Sequence, residues 1–168
     1  MQDTLPIHFA PLQGYTEAIY RNAHDAFFGG VDTYYTPFVR LEKGNFRRRD
    51  VRGIEPENNG VPHLIPQLIA SSAEKAEVIL SLFIEKGYQE VDINLGCPFP
   101  LLAKRHNGSG ILPYPEEVKA LLSIVTRYPQ ISFSVKMRLG WEQPDECLAL
   151  APILNDLPLR QITMHPRL

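Results

Sequence analysis

Glu90-Val91-Asp92-Ile93-Asn94-Leu95-Gly96-Cys97-Pro98 opens on alternating polar and apolar residues and closes on a Gly-Cys-Pro bend. The period of two predicts a strand over 90–94. The bend sets a thiol just past the C-terminal end of that strand, where the chain turns sharply and is exposed. Downstream, Pro115 at a first helical position, with Glu116 and Glu117 behind it, predicts a helix to about 128. A strand follows over 132–137, then a helix over 144–154 and a strand over 160–165. Upstream, Ser71-Ser72-Ala73-Glu74 reads as a capping box that opens a helix to 86, closed by Gly87. Before it come strands over 63–68, 33–39 and 7–10, with a helix over 16–28 capped by Thr16 and stopped by Gly29-Gly30. Pro66 interrupts the pattern at 63–68.

Strands alternating with helices imply parallel βαβ units. Six strands fit either an open doubly wound sheet or most of an eight-stranded (β/α)8 TIM-type barrel. The polar residues separate the two. Gln67, Asn94, Lys136 and His165 each fall at the C-terminal end of a predicted strand. Barrel enzymes gather reactive groups from many strand ends at that face, whereas an open sheet concentrates its contacts at one switch point. Neither a G-x-G-x-x-G nor a Walker loop is present. The expectation is an α/β barrel, incomplete at six strands, with the sequence stopping three residues after His165.

The composition, 44% apolar and 21% charged, suits a soluble globular domain. A formal charge of −2 argues against a simple nucleic-acid coat protein. No apolar run approaches the length of a membrane span, and Met1-Gln2-Asp3-Thr4 has no basic or apolar leader region. Cys97 and Cys147 form neither a disulfide framework nor a zinc spacing, so no metal is expected, and a reducing, cytoplasmic compartment fits. One local exception to neutrality lies between Arg40 and Arg52. There Arg40, Lys43, Arg47, Arg48, Arg49 and Arg52 face only Glu42 and Asp50. A loop with that balance either meets phosphates or is a solvated surface.

Cys97, in its turn, is the strongest candidate for chemistry, whereas Cys147, inside a predicted amphipathic helix, reads as packing. Lys136 is the only charge in Phe133-Ser134-Val135-Lys136-Met137. It either faces an anion or a polarised group, or reaches out to solvent. Arg138 is expected on the opposite face. His165 is equally open between a core and a functional role. The amides of Gln67 and Asn94 suit a heterocycle with both donors and acceptors, such as a flavin or a pyrimidine. Asp92 alternates with Asn94 and shares its expected face. Lys104-Arg105-His106-Asn107-Gly108-Ser109-Gly110 is expected as a mobile loop that gates a site or meets phosphate, or as a plain surface turn.

In order along the chain, these segments resemble the tRNA-dihydrouridine synthases, a branch of the FMN-dependent barrel oxidoreductases. Ala10-Pro11-Leu12-Gln13-Gly14-Tyr15-Thr16 looks like the family's A-P-M-x-G-x-T/S opening, with Leu12 for the usual methionine and Gln13 for the usual alanine. Pro66-Gln67-Leu68 is similar to its Q-L strand end. Residues 92–98 are similar to D-I-N-x-G-C-P, the most specific of the signals. Asn107-Gly108-Ser109-Gly110-Ile111-Leu112 looks like the glycine-rich segment that follows. Val135-Lys136-Met137-Arg138-Leu139-Gly140 resembles V-K-x-R-x-G, and Thr163-Met164-His165-Pro166-Arg167 resembles T-x-H-x-R.

The resemblance implies FMN held by Pro11, Leu12, Gln13, Gly14, Gln67, Lys136 and His165. It implies Cys97 as general acid, Asn94 beside the substrate, and NADPH as reductant of the flavin. The implied substrate is uridine in tRNA, and the basic Lys104 and Arg105 are expected on the substrate side. Residues 1–168 would then be a partial FMN-binding barrel domain. The last barrel units and the helical tRNA-binding domain of the family are absent from these residues. Two rivals stand beside this reading: an FMN barrel acting on a free pyrimidine, as in dihydroorotate dehydrogenases, and a non-catalytic RNA-binding fragment.

Overall fold

The computed structural model describes residues 5–168; residues 1–4, where the leaderless start was read, lie outside the described residues. In chain order the elements are β1 (His8–Phe9), α1 (Ala18–Phe27), β2 (Thr33–Tyr35), β3 (Leu41–Glu42), β4 (Asn45–Phe46), α2 (Arg48–Ile54), β5 (Leu64–Ile65), β6 (Gln67–Leu68) and α3 (Ala73–Glu85). They continue with β7 (Glu90–Leu95), α4 (Pro100–Ala103), α5 (Pro115–Leu122), α6 (Ile124–Arg127), β8 (Ser132–Arg138), α7 (Glu146–Asn155) and β9 (Gln161–His165).

The parallel strands lie side by side in chain order, as β1-β2-β5 and β6-β7-β8-β9. Pro66 explains why one expected strand became β5 and β6. Its carbonyl accepts the Asp92 N–H at 3.0 Å, but proline has no N–H to return, so the ladder to β7 is broken there. Beyond the break, Leu68 forms a parallel bridge with Val39, carried by Val39 N–H to Gln67 O (2.8 Å) and Ile69 N–H to Val39 O (3.1 Å). The six-strand parallel array is that of a TIM-type barrel, and the described residues do not close it.

Strand alternation positions the site. Val91, Ile93 and Leu95 of β7 and Phe133, Val135 and Met137 of β8 are buried in the core. The same core holds Ala76, Ile79, Leu80 and Phe83 of α3 and Val118, Leu121 and Leu122 of α5. Successive side chains in a strand point to opposite faces. Asp92, Asn94, Ser134 and Lys136 are thereby turned to the other side, into the strand array. The register places Gln67 beside Asp92 and Asp92 beside Ser134, with Asn94 beside Lys136 one level nearer the C-terminal ends.

Several expectations are corrected. The basic segment is no simple loop: β3 and β4 form a hairpin around Lys43-Gly44, both at positive φ (51° and 80°), and α2 follows. Positive φ at both central positions gives the turn a twist that matches the strands. Its arginines are partly engaged, Arg47 with Asp50 at 3.8 Å and Arg49 with Glu17 at 3.1 Å. The helix expected to 128 breaks at Ser123, whose hydroxyl donates to Ala120 O at 2.7 Å and competes for that carbonyl. Thr16 does not cap α1; its hydroxyl is committed to the Leu12 backbone, and the cap position is Glu17. No helix among the described residues is long and apolar enough to cross a membrane.

Candidate active site

The C-terminal strand ends surround one pocket of about 560 Å³, within the size range of small-molecule and cofactor sites. Pro11, Leu12 and Gln13 reach it from the turn after β1, and Pro37 and Phe38 from the end of β2. Gln67 comes from β6, Asn94 and Cys97 from β7 and its turn, and Lys136 and Arg138 from β8. Met164, His165 and Pro166 complete it from β9. Six strands therefore contribute their ends or following turns to one wall only because they run parallel.

Cys97 is held from both ends. Its N–H donates to Asn94 Oδ1 at 2.8 Å, beside the Gly96 N–H at 3.0 Å. Its carbonyl accepts from the Ser109 N–H at 3.0 Å and the Ser109 hydroxyl at 3.1 Å. Burial pushes the thiol above the usual cysteine range, against the opposing pull of a Phe99 backbone hydrogen bond and of Arg138, Arg40 and Lys136. The group is a protonated thiol at neutral pH.

Of the segment 104–110, expected as a mobile loop or a plain surface turn, Lys104 and Arg105 are exposed in a turn, whereas the glycine end forms a buried 3₁₀ turn, Gly108–Ile111, packed behind Cys97. Gly108 sits at φ 61°, and a Cβ there would stand 2.5 Å from Cys97 O. A Cβ on Gly110 would overlap the Ala103 carbonyl. The glycines permit close packing rather than motion. His106 is stacked on Tyr114 with centroids 4.1 Å apart and bonds Glu117 at 2.7 Å.

Asp92 is 1% exposed. It accepts the Ser134 hydroxyl at 2.5 Å and Gln67 Nε2 at 2.7 Å. Gln67 Oε1 in turn accepts Asn94 Nδ2 at 2.7 Å. Burial raises the Asp92 carboxyl above the usual range, against the Ser134 and Gln67 hydrogen bonds. Burial likewise lowers Lys136, opposed by Asp92 and reinforced by Arg138. Its ammonium has no hydrogen-bond or ion-pair partner among the described residues. His165 is lowered by burial, then by Lys136 and Arg138, which keeps the imidazole neutral. Gln13 has both side-chain amide atoms buried without a partner.

Of the residues singled out from sequence, Pro11, Leu12, Gln13, Gln67, Asn94, Cys97, Lys136 and His165 all line the pocket. Gly14 does not; at φ 89° it shapes the turn in which Tyr15 and Thr16 donate to Leu12 O. Lys104 and Arg105 lie outside the lining, exposed after α4. Arg138, expected on the opposite face, shares the face of Lys136, because residues two apart in a strand point the same way. It lines the pocket and donates from Nε to Gly96 O at 2.9 Å. Cys147 packs against the core with its thiol on Pro144 O. Pro37, Phe38, Arg138 and Met164 were missed; the strand-end rule that found Gln67 reaches Arg138, whereas Pro37, Phe38 and Met164 are apolar and give no such signal.

A TIM-type array with a protonated thiol, a lone ammonium and the unpartnered Gln13 amide at its C-terminal face defines a barrel-type domain with a polar pocket at its strand ends. The chain belongs to the dihydrouridine synthase (Dus) family, whose model matches residues 8–168. It is similar to a probable tRNA-dihydrouridine synthase 1 of Synechocystis sp., 28% identical over 165 residues, covering 94% of this chain and 44% of that protein. It is also similar to a tRNA-dihydrouridine(16) synthase of Haemophilus ducreyi, 28% identical over 178 residues, 96% of this chain and 52% of that protein. A tRNA-dihydrouridine synthase B of Vibrio cholerae is 31% identical over 103 residues, 61% of this chain and 30% of that protein. The chain spans about half, or less, of the length of these relatives.

Proposed function

We propose that the protein reduces the C5=C6 bond of a uridine in tRNA, with Cys97 as the proton donor, and that residues 8–168 supply part of its FMN-binding barrel domain. The observation that carries this reading is the placement of the Cys97 thiol, kept protonated by burial, on the wall of the pocket that holds Lys136. Family membership favours a tRNA uridine over a free pyrimidine or a non-catalytic RNA-binding role. A tRNA substrate places the enzyme in the cytoplasm.

The residues present fit FMN. The buried, unpartnered amide of Gln13 offers a donor and an acceptor to a ring system that has both. The unpaired Lys136 ammonium suits a cofactor that becomes anionic on reduction. Pro11, Leu12, Gln13, Gln67, Lys136 and His165 would hold it, with Gly14 shaping the turn. When bound, FMN supplies the hydride for uracil C6, and NADPH is the reductant that restores it.

The chain's own residues do the rest. The C5=C6 bond is conjugated with the C4 carbonyl, so hydride arriving at C6 leaves negative charge spread toward O4. Cys97 gives its S–H proton to C5, completing the new C–H bond, and the thiolate recovers a proton from water. Lys136 and Arg138 offset the developing charge from β8. Asn94 keeps one N–H for the substrate, since its other amide groups are committed to Gln67 and the Cys97 turn. Lys104 and Arg105, exposed beyond the pocket, meet RNA phosphates. The target base must leave its stack to enter.

The test is incubation of the whole protein with NADPH and unmodified tRNA, followed by mass spectrometry of the nucleosides. Dihydrouridine formed in tRNA, and no reduction of free orotate-type pyrimidines, is the expected result. Turnover of the free pyrimidine alone would replace this function with the rival one.

A further inference from the structure

We infer that Asp92 is a positioning residue for Cys97: it fixes the polarity of a chain of side-chain amides that ends on the Cys97 turn. This rests on the reading of Cys97 as the proton donor, because only then does the setting of its turn matter to chemistry.

The chain has two ends that set its polarity while Asp92 is ionised. At one end are the backbone N–H groups of Gly96 and Cys97, which can only donate; both reach Asn94 Oδ1, at 3.0 and 2.8 Å. At the other end is the Asp92 carboxylate, which accepts from Gln67 Nε2 at 2.7 Å and from the Ser134 hydroxyl at 2.5 Å. Between them, Asn94 Nδ2 donates to Gln67 Oε1 at 2.7 Å. Every donor meets an acceptor only if both amides take this one orientation. Either amide turned over would set a donor against a donor. Gln67, Asp92 and Ser134 are all buried, so a mismatch would not be repaired by water.

Burying a carboxylate under apolar strands is expensive. Asp92 does not touch the pocket, whose lining includes Gln67 and Asn94 but not Asp92. Its place in the core is explained by what it does to its neighbours. With an asparagine at this position the end group becomes both donor and acceptor. Gln67 is then free to turn over, Asn94 can follow, and the Gly96 and Cys97 N–H groups lose their acceptor.

The test is amide hydrogen exchange by NMR on the full chain. Asp92→Asn should raise exchange at Gly96 and Cys97 by about tenfold or more, the equivalent of roughly 1.4 kcal/mol or one hydrogen bond. The ladder amides of Val91 and Val135 should keep their wild-type rates. The informative partner is the isosteric double variant Asp92→Asn with Gln67→Glu, which has the same net charge. A carboxylate at 67 accepts from the new amide at 92 and from Asn94 Nδ2, so the orientation of Asn94 is fixed again. Exchange at Gly96 and Cys97 should return to wild type. Unchanged exchange in Asp92→Asn would overturn the inference, as would a double variant that stays fast or does not fold. If Asp92→Asn alone fails to fold, a folded double variant with wild-type rates supports it. No step of this test measures uracil reduction. Failure here leaves the role of Cys97 untouched, and failure of that role would be read in a different assay.

Discussion

Replacing Gly108 by alanine should unseat the Cys97 turn. Gly108 lies at φ 61°, where an L-residue costs roughly 1–2 kcal/mol. The added Cβ would also stand 2.5 Å from Cys97 O, 2.8 Å from Cys97 Cβ and 2.9 Å from Cys97 N. Two of those atoms are backbone, so the turn itself must move, and overpacking of this kind costs roughly 1–3 kcal/mol more. The sum is roughly 2–5 kcal/mol. Gly87 is the control: it sits at φ 84° with nothing within 4 Å of its added Cβ. Gly87→Ala should therefore lose only the backbone part, about 1–2 kcal/mol. Urea unfolding followed by fluorescence of Trp141, the single tryptophan, measures both. Gly108→Ala should also speed alkylation of Cys97 while leaving Cys147 unchanged. Equal losses from the two substitutions, with Cys97 alkylated at its wild-type rate, would refute the close packing of Gly108 on Cys97.

Three further outcomes follow from the geometry. Arg21 is fully buried, is lowered to about 10 chiefly by that burial, and donates to Thr16 O, Gly53 O and Asn59 Oδ1. Arg21→Met leaves those acceptors unpaired and should cost about 3–5 kcal/mol by urea unfolding. Because burial raises the Cys97 thiol, the midpoint of its alkylation rate against pH should lie above the ordinary 9.0. The sign for stability follows from the same shift. A raised folded value means the thiol's contribution is fully present below the ordinary value and is lost as pH rises past it, so Cys97→Ser should flatten the alkaline fall in unfolding free energy. Lys136→Met removes an unpaired, half-buried ammonium, so it should leave the flavin-free fold as stable as wild type or more so. It should also weaken FMN binding about tenfold or more, the worth of a charge-assisted bond, measured by flavin fluorescence quenching.

The parallel array was legible because its strands and helices carry opposite periodicities, and because Gln67, Asn94, Lys136 and His165 are polar where a buried strand would otherwise be apolar. The split at Pro66 was visible as a proline, but not as a change of partner from β2 to β7. That depends on which neighbour needs the missing N–H. The hairpin around Lys43-Gly44 was hidden because charge, rather than alternation, dominates residues 40–52. The glycine-rich segment at 107–110 misled for a physical reason: glycine serves loose loops and tight packing equally, and only the neighbouring Cys97 and Ala103 backbones distinguish them. The Asp92–Gln67–Asn94 relay joins residues from adjacent strands and needs the cross-strand register to be seen. Arg138 was within reach from the two-residue period of β8 alone.

The central claim is that Cys97 delivers the proton to the uracil ring. Single-turnover reoxidation of the whole, flavin-loaded, NADPH-reduced protein by unmodified tRNA measures that step. Cys97→Ala should bind and reduce flavin nearly as wild type, yet reoxidise about 10²–10⁴-fold more slowly, the usual worth of a positioned general acid. Cys147→Ala, which removes a thiol packed against the core, should reoxidise at the wild-type rate. Reoxidation of Cys97→Ala by tRNA at the wild-type rate would contradict the assignment and return Cys97 to the role of a packing residue.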